Sequence, residues 1–554
     1  MFHFILFINF LFISLFWFGD STKVPHELIV NLVKPNGKIR GHILKSSQGK
    51  DFYAFQDIPF AAPPIGKRRF KAPQYHDGWD GILNVTDNKK ICIQFHPSRS
   101  EPLEGETEDC LVLNVYSPAK PGSKSSLPVL FWVHGGGYFE GSARIENYNP
   151  SYFIDENIIV VTINYRLGPL GFLSTGDDVI PGNMGLKDQH LALAWTAENI
   201  HLFGGDAEKI VIAAHSAGAY AIGFQVLSER NRGLFRGVIQ QSGSPLVDTG
   251  FQTDPKQYAV QLIQKLDQTG IFDPKNSTRH VEILQNAPID EIRRVTKTIV
   301  GRESQNGFMP FMIWAPVMEN KQSNEAIVTA PMRQAFQEGD FNLVPTLMGI
   351  ASEEALYFLP DPSFDESAQR YDKDSGLLIH PRLNIKYEDT KMVGSLLKAV
   401  YTSSTFFEDK YAFVKFTSDV VFSRAVIEQA QLMARYVPVY LYQFCLRQSG
   451  NYSHPGAPHT SELPYIWYNG KVESNLEEDG RIQMIRMWTN FIKYLNPTPE
   501  KDFLLQNIEW PRLDSTTMEY LNINKTLSIE TNPRNYNEMR KILNVYVQQP
   551  YNVY

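Results

Sequence analysis

The sequence predicts an α/β fold, a mostly parallel central sheet with helices on both faces. Short β-rich runs at 128–133, 158–164, 210–214, 238–241, 345–349 and 437–444 are almost continuously apolar, as strands buried on both faces are. Segments of helical character at 186–200, 217–228 and 481–494 alternate with them, which is the rhythm of an α/β architecture. Hydrophobic residues make up 43% of the 554 and charged residues 20%, enough apolar material for an extensive core. The net charge of −7 and the lack of any long lysine or arginine run argue against a nucleic-acid partner.

From the amino end, residues 1–19 form an apolar run that stops at Asp20, Ser21 and Thr22. It reads as a secretory signal peptide, cleaved after Gly19 or Ser21. The mature chain, 20–554, is expected to be one freely secreted domain, because no later stretch approaches the ~20 apolar residues that cross a bilayer. In an oxidising compartment Cys92 and Cys110 are spaced to close a modest disulfide loop. Cys445, in the apolar run VPVYLYQFC, reads as an inert core thiol. Sequons at Asn84, Asn276, Asn451 and Asn524 are candidate glycan sites, with Asn524 favoured by its polar surroundings. The segments 248–297 and 361–391 interrupt the strand-helix rhythm and are expected to form cap or rim elements over a substrate gorge.

The first strand, 128–133, runs into His134-Gly135-Gly136-Gly137. Glycines there let main-chain N–H groups face a ligand without interference from Cβ atoms. A phosphate cradle would need the lysine and hydroxyl of a P-loop or G-x-G-x-x-G spacing, and neither is present. The strand at 210–214 passes directly into a helix with Ser216 at the join, the context of a nucleophile elbow. Ala214 and Gly218 supply the small neighbours such a turn requires, Ala214 standing where glycine is usual. A serine in that place could instead merely cap the helix.

A serine hydroxyl needs a base to take its proton, and the base needs an anionic partner. In this arrangement the chain order is serine, acid, histidine. After Ser216 the strand at 345–349 leads to Glu353-Glu354, and the strand at 437–444 leads to His454 and His459. His459 is preferred for its place in G-A-P-H-x-x-E-L, whereas His454 sits beside a proline near the Asn451 sequon. Glycine N–H groups beside the serine would stabilise an oxyanion by roughly 3 kcal/mol per donor. The donors expected are those of Gly136, Gly137 and Ala217. No H-E-x-x-H occurs and the cysteines are few and scattered, so neither metal nor other cofactor is expected.

Together with Pro63-Pro64-Ile65-Gly66 and Arg69-Phe70, Glu108-Asp109-Cys110-Leu111, Asn164-Tyr165-Arg166-Leu167-Gly168, Gly182-Asn183, Asp188-Gln189, Phe203-Gly204-Gly205-Asp206 and Gln241-Ser242-Gly243-Ser244, these motifs resemble the type-B carboxylesterases, the cholinesterase-like family. The resemblance spans nearly the whole mature chain. It implies an α/β-hydrolase fold and hydrolysis of carboxylic esters through an acyl-enzyme. It selects Glu354 over Glu353 as the acid, maps the family's first disulfide onto Cys92 and Cys110, and places on Ser242 the serine that helps hold the acid. The short loop between those cysteines contains no tryptophan, so the aromatic platform that binds choline in cholinesterases has no counterpart here. The chain looks like secreted insect esterases, with small to medium lipophilic esters as partners. Juvenile hormone esterases of the family typically carry glutamine before the serine, where this chain has His215. The competing expectation is a catalytically impaired adhesion or binding protein on the same fold. A lipase reading has no feature of its own in the sequence.

Overall fold

Successive side chains of a strand point to opposite faces, so a strand that is apolar throughout must be covered on both. The computed structural model describes residues 28–548 apart from 100, 268, 271–272, 304–309, 381–382, 447–454 and 471–474, and in it eleven strands form such a sheet. They are β1 (His42–Lys45), β2 (Asp51–Pro59), β3 (Val112–Ser117), β4 (Leu127–Val133), β5 (Ile159–Ile163), β6 (Gly205–His215), β7 (Gly237–Gln241), β8 (Thr346–Ala351), β9 (Val439–Phe444), β10 (Glu519–Ile523) and β11 (Ser528–Thr531). The spatial order is β11-β10-β9-β8-β7-β6-β4-β5-β3-β2-β1. Neighbours from β5 across to β10 pair in parallel, and the flanking pairs are antiparallel. The α/β-hydrolase expectation therefore holds, and all six anticipated strands belong to this one sheet.

The larger helices are α1 (Met184–Asn199), α2 (Ala217–Leu227), α3 (Pro255–Leu266), α4 (Ser277–Asn286), α5 (Ile289–Glu303), α6 (Pro362–Lys373), α7 (Thr390–Ala399), α8 (Arg424–Met433) and α9 (Asn475–Tyr494). Val129, Phe131 and Val133 of β4 and Ile210, Ile212 and Ala214 of β6 face the core shared with α1, α2 and α8. The residues between them, Leu130, Trp132, Val211 and Ala213, face the core shared with α9. A third apolar cluster, with Phe364, Leu397, Phe413 and Leu543, ties α6 and α7 to the C-terminal helix Tyr536–Tyr546. Four of the sequence motifs meet in two ion pairs that fasten loops to this frame: Arg69 to the half-buried Glu108 at 2.6 Å, and Arg166 to the buried Asp188 at 2.7 Å.

Two expectations need amendment. Cys445 lies just past the end of β9 and is half-buried, not enclosed by the strand core. The segments 248–297 and 361–391 fold into α3 to α5 and α6 to α7, yet none of the residues described as lining the large cavity below comes from either. They brace the walls from outside. The apolar leader 1–19, Asn451 and His454 lie outside the described residues.

Candidate active site

Because β4, β6, β7 and β8 are parallel, the loops after them emerge on one edge of the sheet, the usual place for a ligand in such folds. The glycine loop 135–137 follows β4, Ser216 follows β6, Ser242 follows β7 and Glu354 follows β8. His459 arrives on the loop after β9 and is tied down by its own N–H, which donates to the Glu354 carbonyl at 3.1 Å.

Ser216 has φ 57° and ψ −131°, a conformation costing of order 1–3 kcal/mol for a residue with a Cβ. Its side chain makes no capping bond to the helix, which removes the simple helix-cap reading. The hydroxyl instead meets His459 Nε2 at 2.8 Å, and His459 Nδ1 meets Glu354 Oε2 at 2.5 Å. The tautomer satisfying both contacts has the hydroxyl donating to Nε2 and Nδ1–H donating to the carboxylate. The other Glu354 oxygen accepts from Ala351 N–H at 2.8 Å. Glu353 turns away, to Arg534 at 3.1 Å and the Tyr411 hydroxyl at 3.0 Å.

Burial drives the His459 imidazole below its ordinary range and the Glu354 carboxyl above its own. For Glu354 the rise is opposed by the Ser242 hydroxyl, the Ala351 N–H and the charge of Arg534. A neutral imidazole at rest is the form that can accept a proton. Among the described residues, the N–H groups of Gly136, Gly137 and Ala217 have no acceptor. The Gly136 backbone needs a glycine: its φ is +106°, and a Cβ there would lie 2.2 Å from the Glu140 carbonyl. Three unpaired donors therefore stand beside a strained serine whose hydroxyl is bonded to an imidazole.

The profile of the Carboxylesterase family matches residues 26–540. The chain belongs to the carboxylesterase family. It is 30% identical to juvenile hormone esterase of Tribolium castaneum over 515 residues, covering 86% of this chain and 85% of that one. It is 31% identical to venom carboxylesterase-6 of Apis mellifera over 511 residues, 88% and 87% of the two chains. The crystal structure of juvenile hormone esterase from Manduca sexta, with OTFP covalently attached, shares the fold at a TM-score of 0.81 and 24% identity, over 94% of this chain and 99% of that chain. The family and the similarity to named ester hydrolases make this chain a carboxylic-ester hydrolase.

In this carboxylesterase a cavity of about 420 Å³ opens onto Ser216 and His459. Its apolar lining includes Phe139, Met312, Tyr357, Phe358, Phe422 and Leu463. Behind the imidazole lies a feature the sequence reading passed over. Glu462 is fully buried, with Oε1 at 3.4 Å from the Ser242 hydroxyl and 3.7 Å from His215 Nε2. Ser242 thus stands between two carboxyls, where it was expected to serve one. Burial, then repulsion from Glu354, pushes the Glu462 carboxyl up to about 8, against about 7 for Glu354, so of the two Glu462 keeps its proton more readily. The ring of His215 packs 4.5 Å from that of His459. Glu462 is the E of G-A-P-H-x-x-E-L, so a signal was present, but its partner Ser242 is 220 residues away.

The esterase joins Cys92 to Cys110 in a disulfide. Asn84, Asn276 and Asn524 are exposed, and Asn276 caps α4 by accepting from Arg279 N–H. Among the described residues no helix is long and apolar enough to cross a membrane, and no group of three His, Cys, Asp or Glu could hold a metal.

Proposed function

We propose that this carboxylesterase cleaves small to medium lipophilic esters with Ser216 as nucleophile, His459 as general base and acid, and Glu354 as the anion that orients the imidazole. The observation that carries the reading is the unbroken path from the Ser216 hydroxyl through His459 to Glu354, at 2.8 and 2.5 Å. Oγ attacks the ester carbonyl carbon as Nε2 takes its proton. The carbonyl oxygen becomes an oxyanion held by the N–H groups of Gly136, Gly137 and Ala217. The bond to the alcohol oxygen then breaks, and the alcohol leaves with the proton from Nε2. Water attacks the acyl-enzyme, gives Nε2 a proton, and the carboxylic acid departs as Oγ regains its hydrogen.

The cavity supports the substrate class: about 420 Å³ of largely apolar space is near the lower end of drug-sized sites. The proposal includes one catalytic domain over 20–554, a cleaved leader over 1–19, secretion, and glycans on exposed sequons. Replacing Ser216 with alanine should abolish hydrolysis of p-nitrophenyl acetate and butyrate and covalent labelling by an organophosphate. Labelling that persisted would put the nucleophile elsewhere, and a wild-type protein inert toward every ester would favour the binding-protein alternative.

A further inference from the structure

We infer that Gln94, through the disulfide loop, is the positioning residue of the oxyanion loop, an inference that rests on the proposed donor role of Gly136 and Gly137. The turn after β4 is shaped from within: Gly136 O accepts from the N–H groups of Phe139 and Glu140, both at 3.0 Å. Such bonds set the form of a turn. They do not set its height above Ser216, which needs a contact from outside.

The Tyr165 hydroxyl on the His134 carbonyl at 2.9 Å and the Gly168 N–H on the Tyr138 carbonyl at 2.7 Å are two such contacts, and Gln94 supplies the one on the side of the disulfide loop. It is buried, and its side-chain amide pairs with the backbone of Gly141 as a neighbouring strand would. The Gly141 N–H donates to Oε1 at 2.7 Å, and Nε2 donates to the Gly141 carbonyl at 3.1 Å and to the Cys92 carbonyl at 2.7 Å. The next residue adds a main-chain bond, Phe95 N–H to Phe139 O at 2.7 Å. Gly141 in turn presses on the start of the loop: a Cβ there would lie 2.3 Å from His134 Nδ1 and 2.5 Å from the Gly135 carbonyl. A shift of Gly141 toward the loop would therefore displace residues 134 and 135, and the donors of Gly136 and Gly137 with them.

The clamp is anchored at its far end. Gln94 N–H donates to Glu106 Oε2 at 3.2 Å, and its carbonyl accepts from Arg293 Nε at 3.4 Å. Arg293, on α5, pairs with the same Glu106 oxygen at 2.6 Å. The path therefore runs from α5 through Glu106 and Gln94, beside the Cys92–Cys110 bridge, to the oxyanion donors. On this reading the disulfide loop acts on catalysis by holding Gln94, and the polar residue lining the cavity at position 94 is there for the loop behind it.

An oxyanion donor works only within a few tenths of an ångström of its place, so a displaced loop weakens the transition state more than it weakens substrate binding. The test uses the purified full-length esterase and its Q94L, Q94E and S216A variants. p-Nitrophenyl butyrate gives kcat and KM, organophosphate titration counts folded sites, and a trifluoromethyl ketone, whose hemiketal oxyanion occupies the same place, gives a transition-state affinity. Q94L should lower kcat about 30-fold per titrated site with KM within about threefold, and should weaken ketone binding by the same factor as kcat/KM. Q94E keeps the acceptor for Gly141 N–H but loses both donors, and should fall between, about fivefold down. If Q94L does not fold, Q94E decides by the same parallel between kcat/KM and ketone affinity. Wild-type kcat in these variants, or a loss borne by KM with ketone binding unchanged, overturns the inference. An S216A protein that still hydrolyses the ester is a different failure, that of the triad reading itself.

Discussion

Glu354 and Glu462 lie within reach of one hydroxyl, that of Ser242, yet their surroundings differ. Glu354 has the Ala351 N–H, the His459 Nδ1–H and the charge of Arg534 to stabilise its anion. Glu462 has the Ser242 hydroxyl at 3.4 Å and the repulsion of Glu354, and its carboxyl is raised to about 8. Of the two, Glu354 is the one that ionises more readily. A carboxyl with ordinary pKa near 4.5 when unfolded and near 8 when folded binds more protons in the native state between those values. The contribution of Glu462 to stability is thus fullest below pH 4.5 and is lost progressively as pH rises toward 8. E462Q, permanently neutral, should escape that loss, so its Tm relative to wild type should climb between pH 5 and pH 8; a difference independent of pH would mean that Glu462 is ionised in the folded protein. E354Q should lower kcat by about 10³ to 10⁴. Its residual kcat/KM should lose activity at lower pH than wild type does, because His459, already depressed by burial, loses its anionic partner. An acid limb that stayed in place would show that the imidazole does not feel the carboxylate. At this scale Ser216 and His459 were legible from a few local residues. Glu354 was separated from Glu353 only by resemblance, since the ion pair that turns Glu353 away comes from Arg534, far along the chain.

The elbow shows what an element demands of its neighbours. Ala214 lies inside β6, in register with Val133 and Gln240, so its backbone is ordinary strand and its methyl has a place in the core. A214G should therefore give no gain in kcat, staying within about twofold, while costing about 0.5–1 kcal/mol of stability from the freer unfolded chain. Gly218 is different. A Cβ there would lie 2.5 Å from the carbonyl oxygens of both Val133 and His134, backbone that cannot yield without moving β4 and the oxyanion loop. G218A should cost about 1–3 kcal/mol in urea unfolding and lower kcat at least tenfold, by tilting α2 away from the loop whose donors flank Ser216. The same logic governs which strands could be read. β4 to β9 declare themselves because both faces are apolar. β1 alternates half-buried with exposed positions and β11 has no fully buried residue, so the antiparallel edges carried too little apolar signal. The cap segments failed in a related way: they were read only as breaks in the strand-helix rhythm, and which residues wall the cavity depends on how distant loops meet.

At the scale of the whole molecule the proposed acid of the site, Glu354, is influenced from the other end of the chain. Arg534, just before the last helix, is buried and pairs with Asp419 at 2.6 Å and Glu353 at 3.1 Å, and it donates to the Ser352 carbonyl. The contacts to Ser352 and Glu353 hold the loop after β8 immediately before Glu354, and the guanidinium's charge lowers the Glu354 pKa against the rise that burial imposes. Replacing Arg534 with methionine would keep much of the side chain's volume while leaving Asp419 and Glu353 buried without their cation. Breaking a buried pair in this way costs about 3–5 kcal/mol, which should appear as a lower denaturation midpoint. Removing the charge also lets the Glu354 pKa rise further, and because the carboxylate must be ionised to orient the imidazole, the acid limb of kcat/KM should move to higher pH; E354Q, which has no carboxylate to titrate, leaves only the lower limb of the imidazole. R534K, which returns a cation without the guanidinium's fork, should restore part of the pH profile and less of the stability. A methionine variant with the wild-type limb would mean that Arg534 serves only to hold the C-terminal helix in place, and that the acid is set by its nearest neighbours alone.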